Sequence, residues 1–230
     1  MELKILYDNR SLADGVGSDW GFSCLVGDGL LFNTGEKAPL LLENMVKMGI
    51  KPTPLASVAV SHADVYSAGG LIGLLDQTPQ AKVYLHSKFP HAFLDNVRRK
   101  AGDRLVLVDE FTELSDGIYA TGPYPTREQA LVIHGESGLV VLTGCGQPSI
   151  ASILQNIREH LDEPIDMVIG GLHLACRMED EVLEALKAFR SLGVKRTGLC
   201  LCTGEEAMQM FRNEYGDDFS EVGAGLTLQA

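Results

Sequence analysis

The sequence has a single tryptophan, and aromatic residues make up only 7% of its 230 positions. It has no apolar run approaching the roughly 20 residues that cross a bilayer, so a membrane partner is not expected. It has no Lys/Arg cluster longer than Arg98-Arg99-Lys100, and its formal net charge is -12. A nucleic-acid phosphate backbone is repelled by that balance, and no nucleic-acid partner is expected. Low-complexity stretches and repeats of solenoid or propeller period are absent. The five cysteines are odd in number and irregular in spacing, which argues against a disulfide framework. Met1 to Arg10 reads as a strand rather than a secretory leader, so free thiols in a reducing, cytoplasmic setting are expected.

What is present suits a globular α/β chain. Hydrophobic residues are 45% of the whole and charged residues 22%, enough to bury a core without cross-links. No linker divides the chain, so residues 1–230 are expected to form one domain. Leu3 to Tyr7, Phe22 to Val26 and Leu30 to Phe32 read as strands, and Gly27-Asp28-Gly29 as the hairpin turn between the last two. Pro39 opens a helix with Leu41, Met45 and Met48 on one face, and Gly49 ends it. Ser57 to Val60 is a buried strand running into polar Ser61 to Asp64. A strand at Lys82 to Leu85 precedes a helix from about Ser87, in whose last turn Arg98 to Lys100 complement the dipole.

The second half repeats the rhythm. Strands are predicted at Ala130 to Ile133, Leu139 to Leu142, Ile165 to Ile169 and Thr197 to Leu201. Helices are predicted from Pro148 through Ile157, around Val182 to Phe189, and after a Thr203/Glu206 capping box. Strands in two groups with helices interleaved indicate two sheets packed face to face, with chemistry at the loops where strands end.

The segment SHADVYSAGG, Ser61 to Gly70, resembles the metallo-β-lactamase signature S-H-x-H-x-D-H-x-G-G. Further segments narrow the match: LFNTG (Leu31 to Gly35) before the signature, and EQALV (Glu128 to Val132), LVVLTGC (Leu139 to Cys145), IGGLHL (Ile169 to Leu174) and CTG (Cys202 to Gly204) after it. Their spacing is similar to that of the branch containing the dihydropterin ribofuranosylaminobenzene phosphate synthases. The resemblance implies an α/β fold, the four-layer αβ/βα sandwich with two mixed β-sheets flanked by helices. It also implies a metal centre at one edge.

At the positions the resemblance assigns to metal ligands, this chain has His62, Asp64, Tyr66, Ser67, Gln147 and Leu201. Asn33 stands where the family has aspartate. Zinc takes about four ligands from His, Cys and carboxylate; a neutral phenol, a serine and an amide are poor ligands, and leucine is none. The two-metal centre is therefore expected to be lost, leaving a degenerate site of pseudoenzyme type. No cofactor is expected; were zinc to bind, His62, Asp64 and His173 would hold it. The family places a histidine at His173 facing the pocket. It also fills the positions of Cys145 and Cys202 with cysteine, which favours packing there. Cys200 and Cys202, two apart on a strand, would share a face. Cys176 is the thiol nearest His173 in sequence.

The expected pocket is lined by His62, Asp64, Tyr66, Ser67, Cys145, Gln147, His173, Leu201, Thr203 and Trp20. The turns at Gly144 to Gln147 and Thr203-Gly204 each precede a helix and offer N–H groups to an anion. A small anionic ligand, with phosphorylated ring compounds among the candidates, is the expected partner, and a homo-oligomer is left open. Four readings follow: a non-hydrolytic binding or regulatory protein; a metal-free acid/base enzyme with His62 as base beside Asp64 and Tyr66; a hydrolase or transferase with a rebuilt mononuclear site; and a scaffold. The first is preferred.

Overall fold

A computed structural model describes residues 1–123, 127–147 and 149–230, which divide into two compact units. The first contains 1–109 and 222–229; the second contains 110–221 and Ala230.

The first unit is built on a mixed seven-stranded sheet. Its strands are β1 (Glu2–Tyr7), β2 (Ser23–Val26), β3 (Leu30–Phe32), β4 (Ser57–Ala59), β5 (Lys82–Leu85), β6 (Leu105–Leu107) and β14 (Thr227–Gln229). The order is β14-β1-β2-β3-β4-β5-β6. The hairpin between β2 and β3 pairs Val26 with Leu30 and Leu25 with Leu31, and Gly27 takes the left-handed φ of +55° that its turn requires. From β3 to β6 the strands run parallel, each return made through a helical connection. The helices are α1 (Ala38–Lys47), α2 (Val65–Ala68), α3 (Leu71–Leu75) and α4 (His91–Ala101).

Helix α1 buries Leu41 and Met45 against Leu6, Leu31 and Leu71, as its apolar spacing predicts. Asn44, fully buried on the same helix, donates to the carbonyls of Leu6 and Gly17 and accepts from the Gly17 N–H at 2.8 Å. That one amide ties the helix, β1 and the loop carrying Trp20 together. Helix α4 begins at His91, four residues later than the sequence predicts from Ser87. Pro90 is the reason: it takes extended backbone (φ -53°, ψ 134°), and residues before a proline avoid the helical region.

The second unit carries β7 (Thr112–Ser115), β8 (Ile118–Ala120), β9 (Leu131–His134), β10 (Leu139–Thr143), β11 (Ile165–Gly170), β12 (Arg196–Leu199) and β13 (Phe219–Glu221), with α5 (Ile150–His160), α6 (Glu179–Ser191) and α7 (Glu205–Tyr215). The sheet order is β13-β12-β11-β10-β9-β8-β7. The strands β10 to β13 are parallel neighbours. Every residue of β10 and β11 is buried, the expected state for strands covered on both faces. Asp166 in β11 is compensated by Arg196, whose Nε lies 3.0 Å away. Helices α5, α6 and α7 pack Leu154, Phe189 and Phe211 into this core, the two phenylalanines edge to face at 5.1 Å.

Two boundaries here differ from expectation. Strand β12 ends at Leu199, and Leu201–Thr203 form a tight helical turn, so Cys200 and Cys202 do not share a strand face. Thr203 is not a side-chain cap of α7; Gly204 holds the cap position. The Thr203 hydroxyl instead donates to the Cys200 carbonyl at 2.9 Å and accepts from the Leu172 N–H at 3.1 Å. The expectations for Pro148 and for the Leu201 side chain lie outside the described residues.

Candidate metal and ligand site

Within the first unit the signature segment leaves β4 and turns sharply. Asn33, itself at a left-handed φ of 59°, accepts the Ser61 N–H through Oδ1 at 2.8 Å. The Ser61 hydroxyl and His62 Nδ1 are 2.9 Å apart, and His62 is half-buried. Asp64 caps α2, its Oδ1 accepting the Tyr66 N–H at 3.1 Å. Ser67 is buried, and its carbonyl accepts both the N–H and the hydroxyl of Thr34. Gly69 and Gly70 are there for closeness: a Cβ would fall 2.4 Å from the Glu36 carbonyl oxygen and 2.5 Å from that of Thr34.

Tyr66 and Trp20 stand out of this unit together. Their ring centroids are 6.0 Å apart at an interplanar angle of 46°. Trp20 is 51% exposed and Tyr66 39%, so both rings present open faces. Beside Trp20, Asp19 pairs with Lys37 at the start of α1.

Within the second unit three parallel strands deliver their carboxyl ends side by side, where loops converge in open α/β sheets. Cys145 follows β10, His173 follows β11 and Cys202 follows β12. The Sγ atoms of Cys145 and Cys202 are 2.7 Å apart, and Cys145 Sγ lies 3.2 Å from His173 Nδ1. The Gln147 amide closes the group, with Nε2 at 3.2 Å from His173 Nδ1 and 3.5 Å from Cys145 Sγ. His173 is at a left-handed φ of 54°, which aims its backbone N–H at Cys202 Sγ, 3.3 Å away. Its loop is held by the Ala175 N–H on the Cys202 carbonyl. The nearby sulfur of Cys202, then burial, hold the Cys145 thiol well above the usual thiol range.

Glu128 was not singled out by the sequence as a site residue. It is 2% exposed, and its Oε1 accepts the N–H groups of Gly144 and Cys145 at 2.7 and 2.8 Å. Its Oε2 accepts that of Gln147 at 3.2 Å. The turn expected to receive an external anion therefore already binds the chain's own carboxylate. The turn at Thr203-Gly204 is no better placed, because α7 carries Glu205 and Glu206 in its first turn. A groove of about 560 Å³ beside it is bordered by Cys176, Glu179, Glu205 and Glu206, with Arg177.

The other histidines take structural places. His86 is buried with Nε2 3.2 Å from the Ser61 carbonyl; His160 stacks on Phe111 at 4.5 Å; His134 lies against Tyr119; His91 is exposed at the start of α4. Cys176 is exposed at a left-handed φ of 65° and stands apart from the sulfur pair.

Asp64 spends one carboxylate oxygen on a helix cap, and the Gln147 amide lies against the sulfur–imidazole group. In the first unit, among the described residues, neither His62 nor Asp64 belongs to a converging group of three ligand atoms.

Known proteins place the chain. It is 30% identical to Tm1679, a metal-dependent hydrolase of the β-lactamase superfamily, with a TM-score of 0.88 over 100% of this chain and 99% of that one. It is 26% identical over 246 residues to the 7,8-dihydropterin-6-methyl-4-(β-D-ribofuranosyl)-aminobenzene-5'-phosphate synthase of Methanocaldococcus jannaschii, covering 87% of this chain and 84% of the relative. The metallo-β-lactamase fold protein YhfI of Bacillus subtilis shares the fold at 17% identity, with a TM-score of 0.64 over 100% of this chain and 98% of that one. No family model matches. With two mixed seven-stranded sheets flanked by helices and a full-length relative at that identity, the chain belongs to the metallo-β-lactamase superfamily and to its αβ/βα sandwich class.

Proposed function

We propose that this protein binds a small anionic ring compound without hydrolysing it. The observation that carries this reading is the Trp20–Tyr66 pair. At the sequence position where the superfamily signature has a metal-ligating aspartate, this chain has a tyrosine whose ring stands half-exposed beside the single tryptophan. An open aromatic pair is suited to stacking on a planar ring, a contact worth about 1–3 kcal/mol. Loss of the family's histidines removes the two-metal centre that would lower the pKa of a water bound between those positions, and with it the hydroxide nucleophile at that place. The ligand class follows the Methanocaldococcus jannaschii relative, whose product name contains a dihydropterin and a ribofuranosyl aminobenzene phosphate.

Trp20 is its own reporter. Titration of the protein with a dihydropterin and with an aminobenzene ribosyl phosphate should quench its emission to saturation. Tyr66→Ala should weaken that binding about tenfold, equivalent to roughly 1.4 kcal/mol. Chelator-treated protein should leave phosphodiester, lactam and thioester substrates intact. Turnover of any of these, or unchanged emission with both compounds, overturns the reading.

A further inference from the structure

We propose that Cys145, His173 and Cys202 form a mononuclear binding site for a thiophilic divalent cation of the zinc class. The site uses residues other than those at the family's ligand positions and stands independently of ring binding at Trp20.

The donor set is chemically complete for such an ion. One ligand atom from each residue lies within 4.8 Å of the other two. Two thiolates and an imidazole are a recurrent zinc set, with the fourth position left open or filled by water. Two thiolates also neutralise a divalent charge, so the bound site buries no net charge of its own.

The backbone is arranged around these atoms. Each residue sits just past the end of one of three adjacent parallel strands, so the sheet itself sets their spacing. His173 is held in a backbone region that few non-glycine residues adopt, and the result is that its N–H meets Cys202 Sγ while its ring meets Cys145 Sγ. Such outliers persist where surrounding structure over-determines them and cluster at functional sites. The Gln147 amide and the His173 N–H are the hydrogen bonds to sulfur that orient and tune thiolate ligands.

Zinc holds each sulfur at about 2.3 Å in a tetrahedron, so the two sulfurs must part to about 3.8 Å. Gly171 lets Cys202 Sγ sit this close to the backbone, since a Cβ there would lie 2.6 Å from the sulfur. His173 also borders a cavity of about 200 Å³ with Ser149, Leu174 and Arg177. Glu128, behind Cys145, adds a negative charge that favours a cation.

Packing alone is the competing account: two cysteines and a histidine would simply fill the end of the sheet. The test is to add Co²⁺ to reduced, metal-stripped protein and record the thiolate-to-metal absorption. One Co²⁺ per chain with an intense thiolate band, displaced by Zn²⁺, is the expected result. Cys176→Ser should leave the band unchanged, because that thiol is exposed and apart from the group. His173→Ala should keep the fold and weaken Co²⁺ binding at least about tenfold. Cys145→Ser with Cys202→Ser should abolish the band, and circular dichroism will show whether this variant is folded. The proposal is overturned if no thiolate band forms, if the band follows Cys176, or if His173→Ala binds Co²⁺ as the parent does. A Cys145–Cys202 disulfide in the purified protein that, once reduced, still takes no Co²⁺ overturns it as well.

Discussion

At the residue scale, Glu128 has the clearest consequences. A buried carboxylate accepting three backbone N–H groups holds the whole turn from Gly144 to Gln147. Glu128→Ala leaves those donors buried without their acceptor, a loss of about 3 kcal/mol or more. Inorganic phosphate should restore part of it by entering the vacated place, so thermal melts in phosphate and in an uncharged buffer should diverge for the variant and coincide for the parent. Asp64 is a milder case. Asp64→Ala removes an exposed cap from a four-residue helix and should cost about 1 kcal/mol or less in chemical denaturation.

At the same scale, Tyr215 links stability to pH. Burial pushes its phenol up to about 12, while an unfolded chain titrates near 10. The folded state therefore favours the neutral phenol. That contribution is fully present below pH 10 and is lost as pH rises through about 12. Cys24 and Tyr7 are displaced in the same direction, again mainly by burial. Denaturation midpoints measured across pH 10 to 12 should fall steeply, and Tyr215→Phe should make the fall shallower.

At the scale of the element, the loops after β1, β4, β10, β11 and β12 carry the site residues, and glycines decide how closely these loops approach their neighbours. Gly69→Ala places a Cβ against two backbone carbonyls, those of Glu36 and Val65, that cannot move aside as a side chain could. Its cost should reach at least about 2 kcal/mol, read from the urea midpoint. By contrast Gly193→Ala meets no neighbour and is limited to the strain of its left-handed φ of +75°. Most elements were legible in the sequence because each signal was local. The Gly27-Asp28-Gly29 hairpin, the α1 face of Leu41 and Met45, and the buried runs of β10 and β11 all state their period or turn chemistry directly. The end of β12 was not legible, because the chain leaves the strand to make the turn that Thr203 bonds to Cys200 and Leu172. Those partners are distant in sequence or compete with a helix cap.

At the scale of the molecule, each unit has its own covered sheet and its own core, one around Leu31, Val58 and Leu71 and the other around Val141, Leu154 and Phe189. Superfamily membership could be read from the chain itself, since its short motifs lie in order at strand ends. His62, Asp64, Tyr66 and Ser67 are contiguous, so their local geometry follows from one turn. The grouping of Cys145, Gln147, His173 and Cys202 could not be read that way. Their proximity comes from parallel strand register, which brings residues 28 and 57 positions apart within hydrogen-bonding distance. The sequence favoured simple packing for the two cysteines, and it offered the Gly144 turn to an external anion because the distant Glu128 was invisible to it. Composition, periodicity and motif order were thus enough to determine the class of fold, which is written in neighbouring residues. Which donors converge and which turns are already occupied was decided only by the tertiary structure, because hydrogen bonds and ligand sets depend on distances in space that chain separation does not encode.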